Sequence, residues 1–453
     1  MATIGGRMGR VHILHGIAGL LVVAAGVGDL RAQTNFSVPS LPNVPSLPHG
    51  AGPAKKYLET FPEKASVEPA FTIPVSSMGY SIPGTSYLLR QQQLVSLDFI
   101  DENRLLFSFH VASGLRERTG DEDPERPQRI HAVVVDVATG KAGPEIEWSM
   151  PDRRRYLWML NDGHFLVRVA DGLDEGDAEL KTKEYLRWPG RLMWIEMDPE
   201  QKFLIANSLE AGSGEQTASA AGDSPAAKLL ADGKTDNKGV LTIRTVRRGN
   251  GEVVQTTKAP WTSQTSDWPM NSEGYVERRH AKGAHWVMEF MPYGAKTGWD
   301  LVEEDSVCMP QHTFVNDSEL LVSRCDPQEG WKLKAWNTVG KPMWETKVGS
   351  NTMWPLLMTA RDGSRAARES LVLKRSAEKY KDGVRIEDVQ GQMVRVFDAA
   401  TGKTVMEAPV TPIYDGGGNV AVSPSGKRVA ILNGSAIQVY ELPAPAIRAV
   451  DHK

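Results

Sequence analysis

The sequence predicts an all-β fold, a single β-propeller of about seven four-stranded blades, preceded by a signal peptide and a proline-rich tether. Three observations carry this. A polar turn followed by a short run of alternating apolar residues recurs along the chain. A second pattern, a strand-turn-strand with Thr-Gly-Lys at its tip, follows several of these units. Glycine (42) and proline (28) are as plentiful as a turn-rich fold requires. At ~150 residues per domain, 453 residues suggest about three domains, yet large all-β folds run longer as one unit. A hydrophobic content of 41 % is enough for a core.

Residues 1–32 read as a secretory signal peptide. Arg7 and Arg10 form a positive start, Ile13 to Gly28 is apolar apart from His15, and Ala32 supplies a small residue before a cut at Gln33. A signal anchor is the competing reading, but the apolar run is shorter than the ~20 residues that span a bilayer. No cysteine sits near the cut, which excludes a lipoprotein anchor, and no other apolar run is long enough to span. Export places the chain outside the cell or in the periplasm. Cleavage removes Arg7, Arg10, Arg31 and Asp29, moving the formal charge from −4 to −6. Basic residues are scattered, so nucleic acid is not an expected partner.

Residues 38–48 write a five-residue unit twice, Val-Pro-Ser-Leu-Pro-Asn-Val-Pro-Ser-Leu-Pro. Proline at this density favours an extended conformation, so 33–65 reads as a flexible tether, with a peptide-recognition motif as the alternative. The propeller then occupies 66–446.

Five units show the first pattern. Asp101-Glu102-Asn103-Arg104 leads into Leu105-Leu106-Phe107, and Asn161-Asp162-Gly163-His164 into Phe165-Leu166-Val167. Asp198-Pro199-Glu200-Gln201-Lys202 leads into Phe203-Leu204-Ile205, Asn316-Asp317 into Glu319-Leu320-Leu321-Val322, and Ser423-Pro424-Ser425-Gly426-Lys427 into Arg428-Val429-Ala430-Ile431. Asp, Asn and Gly suit hairpin turns, and period-two runs mark strands with one buried face. The second pattern is Asp136-Val137-Ala138-Thr139-Gly140-Lys141, repeated as Asp398-Ala399-Ala400-Thr401-Gly402-Lys403 and more loosely as Asn337-Thr338-Val339-Gly340-Lys341. Gly takes the turn position that needs positive φ.

The closing pair, Ser-Pro-Ser-Gly-Lys-Arg-Val-Ala (423–430) with Ile-Gln-Val-Tyr-Glu-Leu (437–442), resembles the final blade of WD40-like or YVTN-like propellers. The Asp-x-x-Thr-Gly-Lys hairpins resemble outer strand pairs of that superfamily. No repeat pairs the Gly-His and Trp-Asp signatures of true WD40 repeats, so the broader superfamily, in an exported bacterial-type form, is the one named. The resemblance implies the fold and is nearly silent on function.

Units fall near 90–150, 155–190, 191–260, 270–305, 310–350, 352–410 and 411–443, with six or eight blades as alternatives. A strand from 71–89 would close the ring against 419–442. Three stretches break the repeat. Residues 209–238 are too rich in Ala, Gly, Ser and Asp to order themselves. Residues 113–129 and 364–390 are charged and read as solvated loops.

Cys308 and Cys325 are the only cysteines. In an exported chain they read as a disulfide. A two-residue loop at Asn316-Asp317 would set Val315 against Ser318 and so Cys308 against Cys325, with Pro310 the one irregularity. No metal-ligand spacing, nucleophile elbow or phosphate-binding loop appears, so no catalytic residue, metal or cofactor is expected. His280 and His285 flank the Lys282-Gly283 turn and read as surface residues. Ser376-x-x-Lys379 matches an acyl-enzyme spacing but lies in a charged insertion. Gly416-Gly417-Gly418 reads as a site of close strand packing. Eight of twelve tryptophans lie between 261 and 354, most of them expected to wedge blades together. Trp261, Trp268 and Trp299 stand outside the clearest strands and are the candidates for a binding face.

Two function classes follow. One is a non-catalytic binding or scaffold module for a protein or glycan partner, acting as a monomer. The other is a channel enzyme, such as a quinoprotein-like dehydrogenase or a hydrolase. Trp148 and Trp344 beside Thr-Gly-Lys hairpins faintly resemble quinoprotein repeats, without that family's regular set.

Overall fold

The structure, a computed structural model, describes residues 57–83, 93–111, 128–150, 154–209, 240–260, 268–326, 330–380 and 384–446. The signal peptide, the tether up to 56, Trp261 and residues 210–238 of the low-apolar insertion lie outside them.

Seven antiparallel sheets follow one another along the chain as the blades of a propeller. The first holds Val95–Phe99, Arg104–His110, Gln128–Asp136 and Ala142–Met150 in sequence order from the axis outward. The second, third, fifth and sixth blades repeat that order over 157–187, 191–260, 311–348 and 352–410. In the fourth, three strands pair, Gly274–His280, His285–Pro292 and Trp299–Asp305. Its innermost position is held by a short segment through the Met270–Tyr275 bridge and a hydrogen bond from Val276 N–H to the Pro269 carbonyl. In the seventh blade Phe71–Pro74 supplies the outermost strand, pairing Phe71 with Val439 and Pro74 with Ala436. The last blade is thus completed by the start of the domain, and the ring is closed.

The repeating turns have fixed places in this scheme. All five polar turns join the first strand of a blade to the second, in blades one, two, three, five and seven. Their side chains cap the backbone. Asp101 Oδ1 accepts from Asn103 and Arg104 N–H at 2.8 and 2.9 Å, and Asp198 Oδ1 from Phe203 N–H at 2.6 Å. The Asp-x-x-Thr-Gly-Lys hairpins join third and fourth strands. Asp136 accepts from Thr139 N–H at 2.8 Å, and Gly140 takes φ 65°. At Gly402 (φ 68°) a second constraint applies, because a Cβ would collide with the indole of Trp344 from blade five. Trp344 Nε1–H donates to the Ala399 carbonyl at 2.8 Å, so blade five docks on the turn of blade six.

An apolar cluster fills each of the seven blade interfaces, and a further one, Leu371, Leu373, Tyr380 and Val389, lies on blade six. Ile73, Val95 and Val439 join blades seven and one, and Leu106, Trp148 and Phe165 join one and two. Trp158, Ile195 and Leu204 fill the next interface, followed by Trp194, Ile205 and Tyr275. Phe314 with Met288, Phe397 with Val315, and Val394 with Val429 complete the circle. A blade between two neighbours buries both faces of its inner strands. Phe203–Leu209 is buried at every position, which corrects the expectation of one buried face.

The same geometry corrects the reading of 364–390 as a solvated loop. Arg365–Leu373 is the second strand of blade six and is buried throughout, its charges included. Arg365 pairs with Asp398 at 2.5 Å, and Arg368 donates from Nη2 to Thr352 Oγ1 at 3.0 Å. Glu369 accepts from Gln392 Nε2 at 2.5 Å. Burial pushes the Glu369 pKa from 4.5 up to about 8, although Asn419 pulls it down. The folded chain therefore keeps this proton between about pH 4.5 and 8 while the unfolded chain loses it, so stability falls as pH rises through that window. Glu369→Gln is expected to raise the melting temperature at pH 8 and above and to leave it unchanged near pH 4. Thermal denaturation at the two pH values checks this, and an equal rise at both would refute it.

The described end of the tether, 57–65, lies against blade six. Glu59 is buried, accepts from Gly349 N–H at 2.7 Å and pairs with Arg395, and Ala65 packs on the cluster between blades six and seven. At the start of blade seven Gly418 (φ 90°) accepts from Leu97 N–H at 2.7 Å, and a Cβ there would strike the Val95 carbonyl. The Gly416–Gly418 run is a close-packing site between the last and first blades.

Cys308 and Cys325 are bonded, with Cα atoms 5.5 Å apart. The register differs from the expected one. Asn316 pairs with Glu319 and Phe314 with Leu320 across a bulge, and regular pairing runs to Gln311 with Ser323. Extended by counting, that register would set Met309 opposite Cys325. Cys308 instead lies in the connection from blade four to blade five. Val307 N–H donates to the Cys325 carbonyl at 3.1 Å, and Ser306 Oγ accepts from Cys325 N–H at 3.0 Å, which curves the connection onto the strand.

Candidate functional site

The first strands of all seven blades line a central channel with a cavity of about 430 Å³, within the usual range for ligand sites. Its apolar wall includes Trp158, Trp194, Phe314, Met159, Met270 and Met358. Asp98, Arg155, Glu196, Asp198, His312 and Arg361 supply its charged and polar groups.

Asp98 interrupts the apolar strand Val95–Phe99, and it accepts from Ser96 Oγ at 2.7 Å. Burial inside the ring pushes its pKa up to about 6, against the pull of Ser96, Arg155 and Arg361. Arg155 lies with its guanidinium 5.5 Å from the Trp158 ring centre and donates from Nε to the Leu157 carbonyl at 3.2 Å. Arg361 follows the inner strand of blade six and reaches over the ring. It donates from Nη1 to the Leu160 carbonyl at 2.6 Å and to Ile100 at 3.1 Å, and from Nη2 to Phe99. One guanidinium thereby ties blade six to blades one and two at the end of the channel where the inner strands finish. Burial, reinforced by Arg278, holds the His312 pKa well below the imidazole range, so this histidine is neutral.

The channel can hold a ligand with apolar and charged parts. Ser96 is hydrogen-bonded to Asp98 and also receives Gln93 Nε2 at 3.3 Å, both within blade one. His312 stands on blade five. Among the described residues the channel shows no serine or cysteine hydrogen-bonded to an imidazole, the arrangement that acyl transfer needs. Asp162, His164 and Glu175 on blade two each bring a ligand atom within 4.8 Å of the others. They lie at the surface, with His164 Nδ1 3.2 Å from Asp162, and are the described residues with the donor set for a cation.

The three tryptophans named from sequence are not gathered into one platform. Trp261 lies outside the described residues. Trp268 is 8 % exposed and packs with Met270 and Tyr275 between blades three and four. Trp299 is 50 % exposed on the outer strand of blade four, its ring 4.8 Å from that of Phe290. His280 bonds the Gly283 carbonyl at 2.8 Å and His285 bonds Asp305 at 3.0 Å, both at the surface. Asp98, Arg155, His312 and Arg361 escaped the sequence reading. The legible signal was a lone acid in Val-Ser-Leu-Asp-Phe, since a charge inside a buried strand needs a reason.

No protein-family model and no curated protein matches this chain. Among solved structures, one from the crystal structure of the mitotic checkpoint complex is 11 % identical at a TM-score of 0.41, covering 86 % of this chain and 99 % of its own. The uncomplexed acylaminoacyl peptidase of Pyrococcus horikoshii is 12 % identical at a TM-score of 0.45, covering 78 % of this chain and 52 % of the peptidase. This chain thus spans about half of that protein's length. Likenesses of this size carry no argument about activity. The strand order and ring closure by themselves make the chain a seven-bladed β-propeller.

Proposed function

We propose that the protein is an exported WD40-like or YVTN-like propeller that serves as a monomeric, non-catalytic binding or scaffold module for a protein or glycan partner in the cell envelope. The observation that carries this is the channel lining, roomy and mixed in polarity but without a coupled nucleophile and base. The connections 111–127, 210–239 and 374–388 all join second to third strands, so they leave from one face of the disc. Long connections whose flanking strand ends share one face of the ring suit a partner surface. The buried Cys308–Cys325 bridge supports an oxidising compartment.

The second reading, a channel enzyme, is favoured by one observation, the Asp98 carboxyl with its pKa near 6. Incubating the full chain with fractionated envelope extract and with a glycan array separates the two. Saturable capture with the captured molecules unchanged in mass is the expected result. A mass change that disappears in the Asp98→Asn variant would replace the binding reading with an enzyme.

A further inference from the structure

Between blades three and four lies a second cavity, of about 180 Å³. It exists where the inner strand of blade four is reduced to a bridge, so that Trp268 and Tyr275, rather than a full strand, meet blade three. The floor is buried and largely apolar, built from Ile205, Ile243, Trp268 and Tyr275, with Thr245 as its one hydroxyl besides the tyrosine. The rim is polar and exposed, with Thr257 and Lys258 on the outer strand of blade three and Glu277 on blade four. Gln255 stands between floor and rim. Gly294 N–H donates to its Oε1 at 3.0 Å, which fixes the amide and leaves its NH2 toward the Tyr275 hydroxyl.

We infer that this cavity is a subsite for one uncharged sugar ring, resting on Trp268 and Tyr275 and held at the rim by Glu277, Gln255 and Lys258. The chemistry selects that ligand class. The Tyr275 hydroxyl bonds both Gln255 and Glu277, and an apolar ligand would strip water from the remaining polar positions of the carboxylate, the amide and the ammonium without replacing those hydrogen bonds. The rim carries one charge of each sign, Lys258 and Glu277, so a ligand with net charge would meet one repulsive partner. A pyranose offers C–H faces to aromatic rings and hydroxyls that both donate and accept, which matches the floor and the rim in turn. At about 180 Å³ the space is below that of drug-sized sites and takes one ring, not an oligosaccharide. Partial burial, reinforced by Glu289, raises the Glu277 pKa, although a hydrogen bond from Tyr275 lowers it.

This inference rests on the glycan branch of the binding reading. The test titrates the full chain with the methyl glycosides of glucose, galactose, mannose and N-acetylglucosamine, following tryptophan fluorescence and saturation-transfer NMR. At least one glycoside is expected to saturate. Glu277→Gln and Gln255→Ala should each weaken it by about tenfold, the loss of one hydrogen bond to the sugar, with the β-sheet signal in circular dichroism unchanged. Trp268→Leu should abolish it, and because that variant removes core packing, the two rim variants decide the matter. No saturation by any of the four, or rim variants that bind like the parent chain, would overturn the inference. If no glycoside binds but the full chain still captures a protein partner, only the sugar subsite fails. If neither occurs, the binding reading falls with it.

Discussion

Asp398→Asn is expected to lower the unfolding free energy by about 3–5 kcal/mol, the cost of leaving a buried charge without its counter-ion. Arg365 is fully buried, and its Nη1 lies 2.5 Å from Asp398 Oδ2. Its Nη2 donates to the Pro443 carbonyl at 2.5 Å, so the guanidinium cannot turn to water. Asp398 also accepts from Thr401 N–H at 3.2 Å, Thr401 Oγ1 at 3.0 Å and Ala446 N–H at 2.8 Å. One carboxylate therefore holds the hairpin of blade six, the second strand of that blade and the segment after blade seven. Burial alone would raise its pKa, but these hydrogen bonds and Arg365 outweigh it and hold the pKa below the ordinary carboxylate value. A depressed acid contributes stability above its unfolded pKa, near 3.8, and loses it as pH falls through the folded one. The gap between parent and variant should accordingly be full at pH 7 and smaller at pH 3, below the ordinary carboxylate value. Urea unfolding at both pH values measures it. The double variant Arg365→Met/Asp398→Asn should lose less than the two single variants added together, because no charge is then stranded. Strict additivity would show that the pair is not coupled.

Removing the Cys308–Cys325 bridge is expected to cost about 3 kcal/mol, from chain entropy across a sequence separation of 17. The bridge fastens the crossover between blades four and five to the second strand of blade five. Blade four is also the blade whose inner strand is shortest, so its neighbour has the most to gain from a covalent anchor. The ring is closed elsewhere, by Phe71–Pro74 on blade seven, and the fold should survive reduction. Cys308→Ser/Cys325→Ser should unfold at lower denaturant with a somewhat steeper slope, because the unfolded chain without the cross-link exposes more surface. Alkylation before and after reduction, read by intact mass, gives the state directly. Two alkylations on the unreduced, unfolded chain would refute the bridge.

What could be read in advance was local. Each polar turn is specified by residues that bond their own backbone, such as Asp101 to Asn103 and Arg104. Such contacts span two or three positions, and so sequence alone showed them. Those turns located blades one, two, three, five and seven, and the Asp398–Lys403 hairpin located blade six. The buried strand Arg365–Leu373 was missed for the opposite reason. Arg365, Arg368 and Glu369 look like a solvated face until Asp398, Thr352 and Gln392, from other strands, supply their partners.

The sequence by itself determined the fold class, the order of the blades and the pairing of two cysteines, because turn chemistry and strand periodicity are properties of neighbouring residues. Only the tertiary structure decided which strand faces are buried, where Cys308 sits and what lines the channel. Asp98, Arg155 and Arg361 come from three different blades and meet only when seven sheets close on one axis. A sequence window sees one blade edge at a time, while burial between blades is set by residues a whole repeat away.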